Sequence, residues 1–295
     1  MRQLTEIPLI FSCEANSLCA MAHIPQPSKQ CGVLIVVGGP QYRVGSHRQF
    51  LLLARELASN GFPVLRFDYT GMGDSEGEQK TFENIDADLR AAIDVFYQQH
   101  SDLKNIVIWG LCDAASAALF YAYQDQRVKG LVLLNPWVYT TQGAAKTYLK
   151  HYYLQRLLSR ELWSKIFSGK FDAVASIASL VSMIKKMLSI SPSKNFDKEH
   201  TNAIQAISPD LPLPERMKQG LERFEYPVLC ILSGHDLTAS EFKELIAANS
   251  DWQQLFNQQR IQRLNFDESD HTFSRAVWRN QVSEWTIDWL QKLEQ

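Results

Sequence analysis

Six short apolar runs rich in β-branched residues alternate with helix-patterned segments along most of the chain, and this alternation leaves few folds open. The runs are CGVLIVVGG (31–39), FPVLRFDY (62–69), NIVIWG (105–110), VKGLVLLNP (128–136), YPVLCILSG (226–234) and RIQRLNF (260–266). Between and after them come helical patterns at 47–61, at 81–100, from about residue 112 and at 274–294. Near-continuous apolar strands joined by helices predict a mostly parallel sheet covered on both faces. Gly61 stands where a helix C-terminal stop belongs and Thr81 where a cap belongs. The N-terminal stretch reads as an antiparallel hairpin turning at Ala15-Asn16-Ser17.

The rhythm breaks between residues 137 and 222, which read as a helical cap insertion. The expected division is therefore 1–136 for the first part of an α/β core, 137–222 for the insertion and 223–295 for the rest of the core. Aromatic residues of the insertion, Tyr152 among them, are candidates either for lining a substrate cavity or for packing the insertion's own core.

Bulk properties remove several function classes. With 30 basic and 32 acidic residues, the net charge of −2 gives no basic stripe for nucleic acid. No apolar stretch approaches the roughly 20 residues that cross a bilayer, and the first residues do not read as a signal peptide. The five cysteines have no CxxC spacing. They fit free thiols in a reducing cytoplasm better than a disulfide framework or a zinc site. The expectation is a cytoplasmic protein acting on a small molecule, with no cofactor and no metal, and with room for a homodimer.

The stretch IVIWGLCDAASAAL (106–119) carries the chemistry. A sharp strand-to-helix corner needs small residues around its tip, and Gly110 and Ala114 flank Cys112 at two positions each. This is the pattern of a nucleophile elbow, which lifts the tip side chain over a helix N-terminus. A thiolate there is a competent nucleophile; the alternative is a cysteine serving as a small buried apolar group. An acid and a histidine follow in order, Asp236 in ILSGHDLTAS and His271 in FDESDHTFS. In those roles His271 takes the proton of Cys112 and Asp236 orients the imidazole. Asp267 and Asp270 beside His271, and His235 beside Asp236, compete for the same roles.

An oxyanion hole needs two backbone N–H donors. The N–H of Asp113, just after the nucleophile, is one candidate. Gly39 in VVGGPQYRVGSH is the other, since Pro40 has no N–H, and Gln41 is the fallback. Tyr42, Trp137 and Tyr152 are candidate substrate contacts. The Gly71-x-Gly73 pair lacks the third glycine of a dinucleotide site, so Asp68 and Asp74 are expected to hold that loop together by hydrogen bonds.

Taken together, DYTGMGDSEG, GLCDAASA, SGHD and DHTFS resemble the α/β-hydrolase superfamily over essentially the whole chain. VVGGPQYRVGSHRQF and WGLCDAASAAL are further similar to the type 1 hydrolases associated with the exosortase A system, which sit beside exopolysaccharide and protein-sorting genes. The resemblance implies an α/β-hydrolase fold without cofactor and a Cys112–His271–Asp236 triad. It also implies an ester or thioester substrate processed through an acyl-cysteine. Cysteine in place of serine and Ala114 in place of glycine depart from the commonest pattern, although dienelactone hydrolases also use cysteine. Acyl transfer to a hydroxyl and a non-catalytic binding role are the alternatives.

Overall fold

A computed structural model of the chain describes residues 3–39, 41–139 and 207–294. Eight strands form one sheet: β1 (Gln3–Cys13), β2 (Asn16–Gln26), β3 (Cys31–Val36), β4 (Val64–Phe67), β5 (Asn105–Leu111), β6 (Val128–Leu134), β7 (Val228–His235) and β8 (Ile261–Asp270). Their order is β1-β2-β4-β3-β5-β6-β7-β8. β1 and β2 pair antiparallel, as do β2 and β4; every pairing from β4 through to β8 is parallel. The helices are α1 (Gln49–Ser59), α2 (Asp86–Gln99), α3 (Asp113–Tyr121), α4 (Leu213–Arg223), α5 (Leu237–Ala248), α6 (Ser250–Phe256) and α7 (Ala276–Leu293).

Alternation within the central strands explains why their sequences are apolar throughout. In β3, Val33 and Ile35 enter one buried cluster while Leu34 and Val36 enter the other. In β5, Ile106 and Ile108 face one side and Val107 and Trp109 the opposite side. Side chains alternate across a strand, so a sheet covered on both faces buries every position. Each such side chain contributes roughly 1.5–3 kcal/mol relative to exposure. The edge strands β1 and β8 instead mix exposed with buried positions.

The structure moves several expected boundaries. The hairpin register pairs Cys13 with Asn16, so the turn residues are Glu14 and Ala15, one position earlier than expected. Glu14 takes the left-handed φ of 52° that this turn needs. Thr81 precedes a short 3₁₀ turn and makes no side-chain cap, and α2 begins only at Asp86. Two helices, α5 and α6, occupy the β7–β8 connection, which had carried no helix in the sequence reading. The chain divides into one unit of residues 1–138 with 206–295 and a second of residues 139–205. α4 therefore belongs with the core rather than with an insertion running to 222: its Met217 and Leu221 are buried in the same cluster as Leu34 and Ile108. The helical character expected for the insertion, and Tyr152, lie outside the described residues.

Candidate active site

Parallel strands all deliver their carboxyl ends to one edge of the sheet, which is where ligands bind in open α/β folds. Four of those ends carry the site. β5 runs into Cys112, β7 ends beside Asp236, β8 ends beside His271, and β3 leads into Gly38 and Gly39.

Cys112 sits between β5 and α3 with φ 64° and ψ −126°. A non-glycine residue in that region is strained, and such strain persists where surrounding contacts over-determine it. Here the Cys112 N–H donates to Leu134 O at 2.9 Å, and the Cys112 carbonyl accepts from Ala115 N at 3.0 Å and Trp137 N at 3.1 Å. The corner has no room to spare. A Cβ at Gly110 would lie 2.7 Å from the Ala114 carbonyl, so glycine is required at 110 and alanine suffices at 114. Among the other cysteines, burial pushes the Cys31 and Cys230 thiols up to about 12, which keeps them protonated. Cys112, by contrast, is only partly buried.

Asp236 is held from two sides. As the N-cap of α5 it accepts from Thr238 N and Ala239 N, both at 3.1 Å. Its Oδ2 lies 2.8 Å from His271 Nδ1. The hydrogen bond to Asp236 and then that to the Cys112 sulfur raise the His271 pKa to about 10, against the opposing effect of burial. The ring thus bridges carboxylate and sulfur. Of the competing residues, Asp270 is committed elsewhere, accepting from the N–H and hydroxyl of Ser274.

Asn135 is a participant that sequence reading missed. It is fully buried with φ 44°. Its Nδ2 donates to Ser233 Oγ at 2.9 Å and to the His271 carbonyl at 3.0 Å, while its Oδ1 accepts from Ser233 N at 2.8 Å. One amide therefore ties the ends of β6 and β7 to the histidine loop. Replacing Asn135 by alanine orphans these groups and leaves alanine in a left-handed conformation; the expected loss is about 1–3 kcal/mol. A denaturant midpoint lowered at unchanged slope, together with reduced turnover, checks this.

The expected oxyanion donors need correction. Gly39 N does not stand free: it donates to both carboxylate oxygens of Asp113, at 2.8 and 2.9 Å. The N–H groups of Ala114 and of Asp113 itself turn to the same carboxylate. Burial pushes this carboxyl up, with those N–H groups and the charge of His271 pulling against it. Gln41 offers no substitute, since its N–H donates to Gly39 O at 2.8 Å and its Oε1 accepts from Ser46. The donors predicted to stabilise an oxyanion are present, but they already hold an anion supplied by the chain. Gly38 makes this approach feasible: a Cβ there would lie 2.2 Å from Asp113 Oδ1.

The neighbouring contacts follow from the same loops. Asp68 accepts from Arg43 N at 2.5 Å and Asp74 N at 3.1 Å and pairs with the Arg43 guanidinium, which also reaches Asp74 at 2.7 Å. This network fastens the 66–78 loop to the loop carrying Tyr42. Tyr42 is 47% exposed and borders an open groove with Met72 and Asp74. Trp137 packs edge-on against Phe82 at 5.4 Å, and its carbonyl accepts from Ser116 Oγ at 2.6 Å.

A parallel sheet with an elbow and an acid-anchored histidine at its carboxyl edge is the architecture of hydrolytic α/β enzymes. Residues 33–272 match the model of the alpha/beta hydrolase fold, and the chain belongs to that family. Among solved structures, it is similar to the Pyrococcus furiosus esterase Pf2001, with TM-score 0.63, 15% identity, and coverage of 99% of this chain and 93% of that one. It is also similar to the Anabaena variabilis dienelactone hydrolase, with TM-score 0.60, 15% identity and 98% of each chain covered. Est1E from Butyrivibrio proteoclasticus, solved with ferulic acid, gives TM-score 0.59 at 14% identity over 96% of this chain and 98% of that one. The quorum-quenching protein AidA of Acinetobacter baumannii is 24% identical over 143 residues, 46% of this chain. The match spans less than half of that curated relative, likewise 46%. No helix among the described residues is long and apolar enough to cross a membrane.

Proposed function

We propose that the chain hydrolyses a small ester or thioester through an acyl-cysteine intermediate. The observation that carries this reading is the single imidazole bridging a capped, buried carboxylate and the sulfur at the elbow. The Cys112 thiol gives its proton to His271, and its sulfur attacks the acyl carbonyl carbon. Collapse of the tetrahedral adduct breaks the bond to the alkoxide or thiolate, which leaves with the proton from His271. Water then attacks the acyl carbon, gives its proton to His271, and the carbon–sulfur bond breaks to release the acid. Asp236 orients the ring throughout. A hydroxyl acceptor in place of water makes the same intermediate serve acyl transfer. The resemblance to exosortase-associated hydrolases makes acylated saccharides the first substrates to try.

The test is intact-protein mass after incubation with a panel of p-nitrophenyl esters and acyl thioesters. An adduct of acyl mass mapping to Cys112 supports the reading; turnover without any Cys112 adduct, including after acid quench, refutes it.

The raised His271 pKa sets a pH dependence. Because protonated His271 is favoured in the folded protein, its stabilisation is complete below about 6.5 and is lost as pH rises through about 10. The proton needed by the leaving group disappears over the upper part of that range. A profile of kcat/KM against pH should therefore show an alkaline limb near pH 10, and a limb near pH 7 would contradict the ion-pair geometry.

A further inference from the structure

His23 on β2 is fully buried, and Arg66 on β4 is only 2% exposed. Arg66 Nε donates to His23 Nε2 at 3.1 Å, and the Arg66 guanidinium also donates to the Arg43 carbonyl. The Arg43 N–H in turn donates to Asp68 at 2.5 Å, so the peptide groups on both sides of Arg43 are held. Arg43 follows Gln41 and Tyr42 in the loop whose Gly39 N–H donates to the Asp113 carboxylate, next to Cys112. A chain of contacts thus runs from the inside of the sheet to the loop beside the nucleophile. An arginine offers donors only, so His23 Nε2 must present its lone pair. The ring is then neutral, with its proton on Nδ1, 3.3 Å from Glu6 Oε1. A second proton would set N–H against N–H and a cation against the Arg66 guanidinium, in a buried space that screens neither. The elements packed on β2 bring three charged groups to the ring: Glu6 from β1, Arg66 from β4, and Arg55 from α1, paired with Glu6 at 2.6 Å. Burial first, then the Arg66 charge, pushes His23 down to about 4, with Glu6 opposing. The contacts are therefore whole above about pH 6.5 and are lost as pH falls through about 4.

We infer that His23 and Arg66 are positioning residues for the active-site loop. Neutral His23 steers Arg66 onto the Arg43 carbonyl and so holds Gly39 and Tyr42 in place, and a proton on His23 releases them. The effect on rate rests on the proposed reading of Cys112; the bracing of the loop does not.

Hydrogen exchange of the loop amides in the Cys112→Ala protein, corrected for the intrinsic pH dependence of exchange, tests the brace without any catalysis. The N–H groups of Gly39, Gln41, Arg43 and Gly45 all donate within the fold, so exchange at neutral pH should be slow. It should rise about tenfold or more between pH 6.5 and pH 4, with the amides of β5 unchanged. His23→Gln keeps an acceptor for Arg66 and takes no proton, so it should abolish that rise. His23→Leu should speed loop exchange by a similar factor at neutral pH; if it fails to fold, the Cys112→Ala protein and His23→Gln decide alone. A rise shared equally by β5 is plain acid unfolding and overturns the inference, as does a rise that persists in His23→Gln. In the chain with Cys112 intact, kcat should fall as pH drops through about 4, and His23→Gln should move that limb about one unit or more toward acid. A released loop with an unmoved limb overturns the positioning role. No hydrolysis at any pH would dismiss the reading of Cys112 and leave the exchange result to decide the brace.

Discussion

Cys112→Ala is expected to lower kcat/KM for an activated acyl ester by about 10³–10⁴, leaving the melting temperature within a degree or so of the parent. On the proposed mechanism the magnitude follows from removing a nucleophile that works as a unit with its base, while binding and backbone donors remain. The small stability change follows from the site: Cys112 is only partly buried, its backbone hydrogen bonds survive the substitution, and the left-handed conformation is equally unfavourable for alanine. Cys112→Ser separates nucleophile chemistry from geometry. The hydroxyl depends on full proton transfer to His271, so serine should restore part of the rate at most. Alkylation by iodoacetamide supplies an independent readout, with Cys112 reacting faster than a free thiol at neutral pH and losing that advantage in His271→Ala. Parent-like turnover in Cys112→Ala would end the acyl-cysteine mechanism.

The second large effect runs in the opposite direction. Asp113→Ala is expected to raise kcat/KM on the order of 10². A single oxyanion donor is worth about 10²–10³ in rate, and in the structure the Asp113 carboxylate occupies Gly39 N together with the N–H groups of residues 113 and 114. A developing oxyanion competes with that carboxylate for the same donors and is repelled by its charge. Removing the side chain frees the donors and the field at once. Asp113→Asn keeps an acceptor oxygen but no charge, so its rate should fall between parent and alanine. A boronic acid or other tetrahedral mimic should tighten on Asp113→Ala in parallel with the rate. A fall in rate upon Asp113→Ala would show that the carboxylate serves by positioning the Gly38–Gly39 loop, and the competition account would be wrong.

How legible the molecule was in its sequence depended on the range of each interaction. The elbow is local: Gly110, Cys112 and Ala114 lie within five residues, and the crowding that selects them acts between near neighbours. The core strands were readable because burial on both faces leaves an unbroken apolar signature. Asp236 and His271 were found through chain order, and the structure brings them to 2.8 Å. Asn135 was not found, because its three bonds go to residues about 98 and 136 positions away. The role of Asp113 was half seen. Its backbone was expected at the site, but nothing in a string of letters says that its side chain folds back onto Gly39, 74 positions earlier. α4 was obscured by its proline-rich approach, although Pro214 at the first turn is where a helix tolerates it.

Sulfur, ring and carboxylate hang from the tips of three different strands, spread from residue 112 to residue 271, and one buried amide at 135, just past a fourth strand, ties β7 to the histidine loop. On the proposed mechanism, catalytic competence is therefore a property of the finished sheet, and partly assembled chains have every reactive group without a reaction. In a refolding experiment, activity should return with the slowest structural phase, after helical signal has already recovered, because contacts so distant along the chain form last.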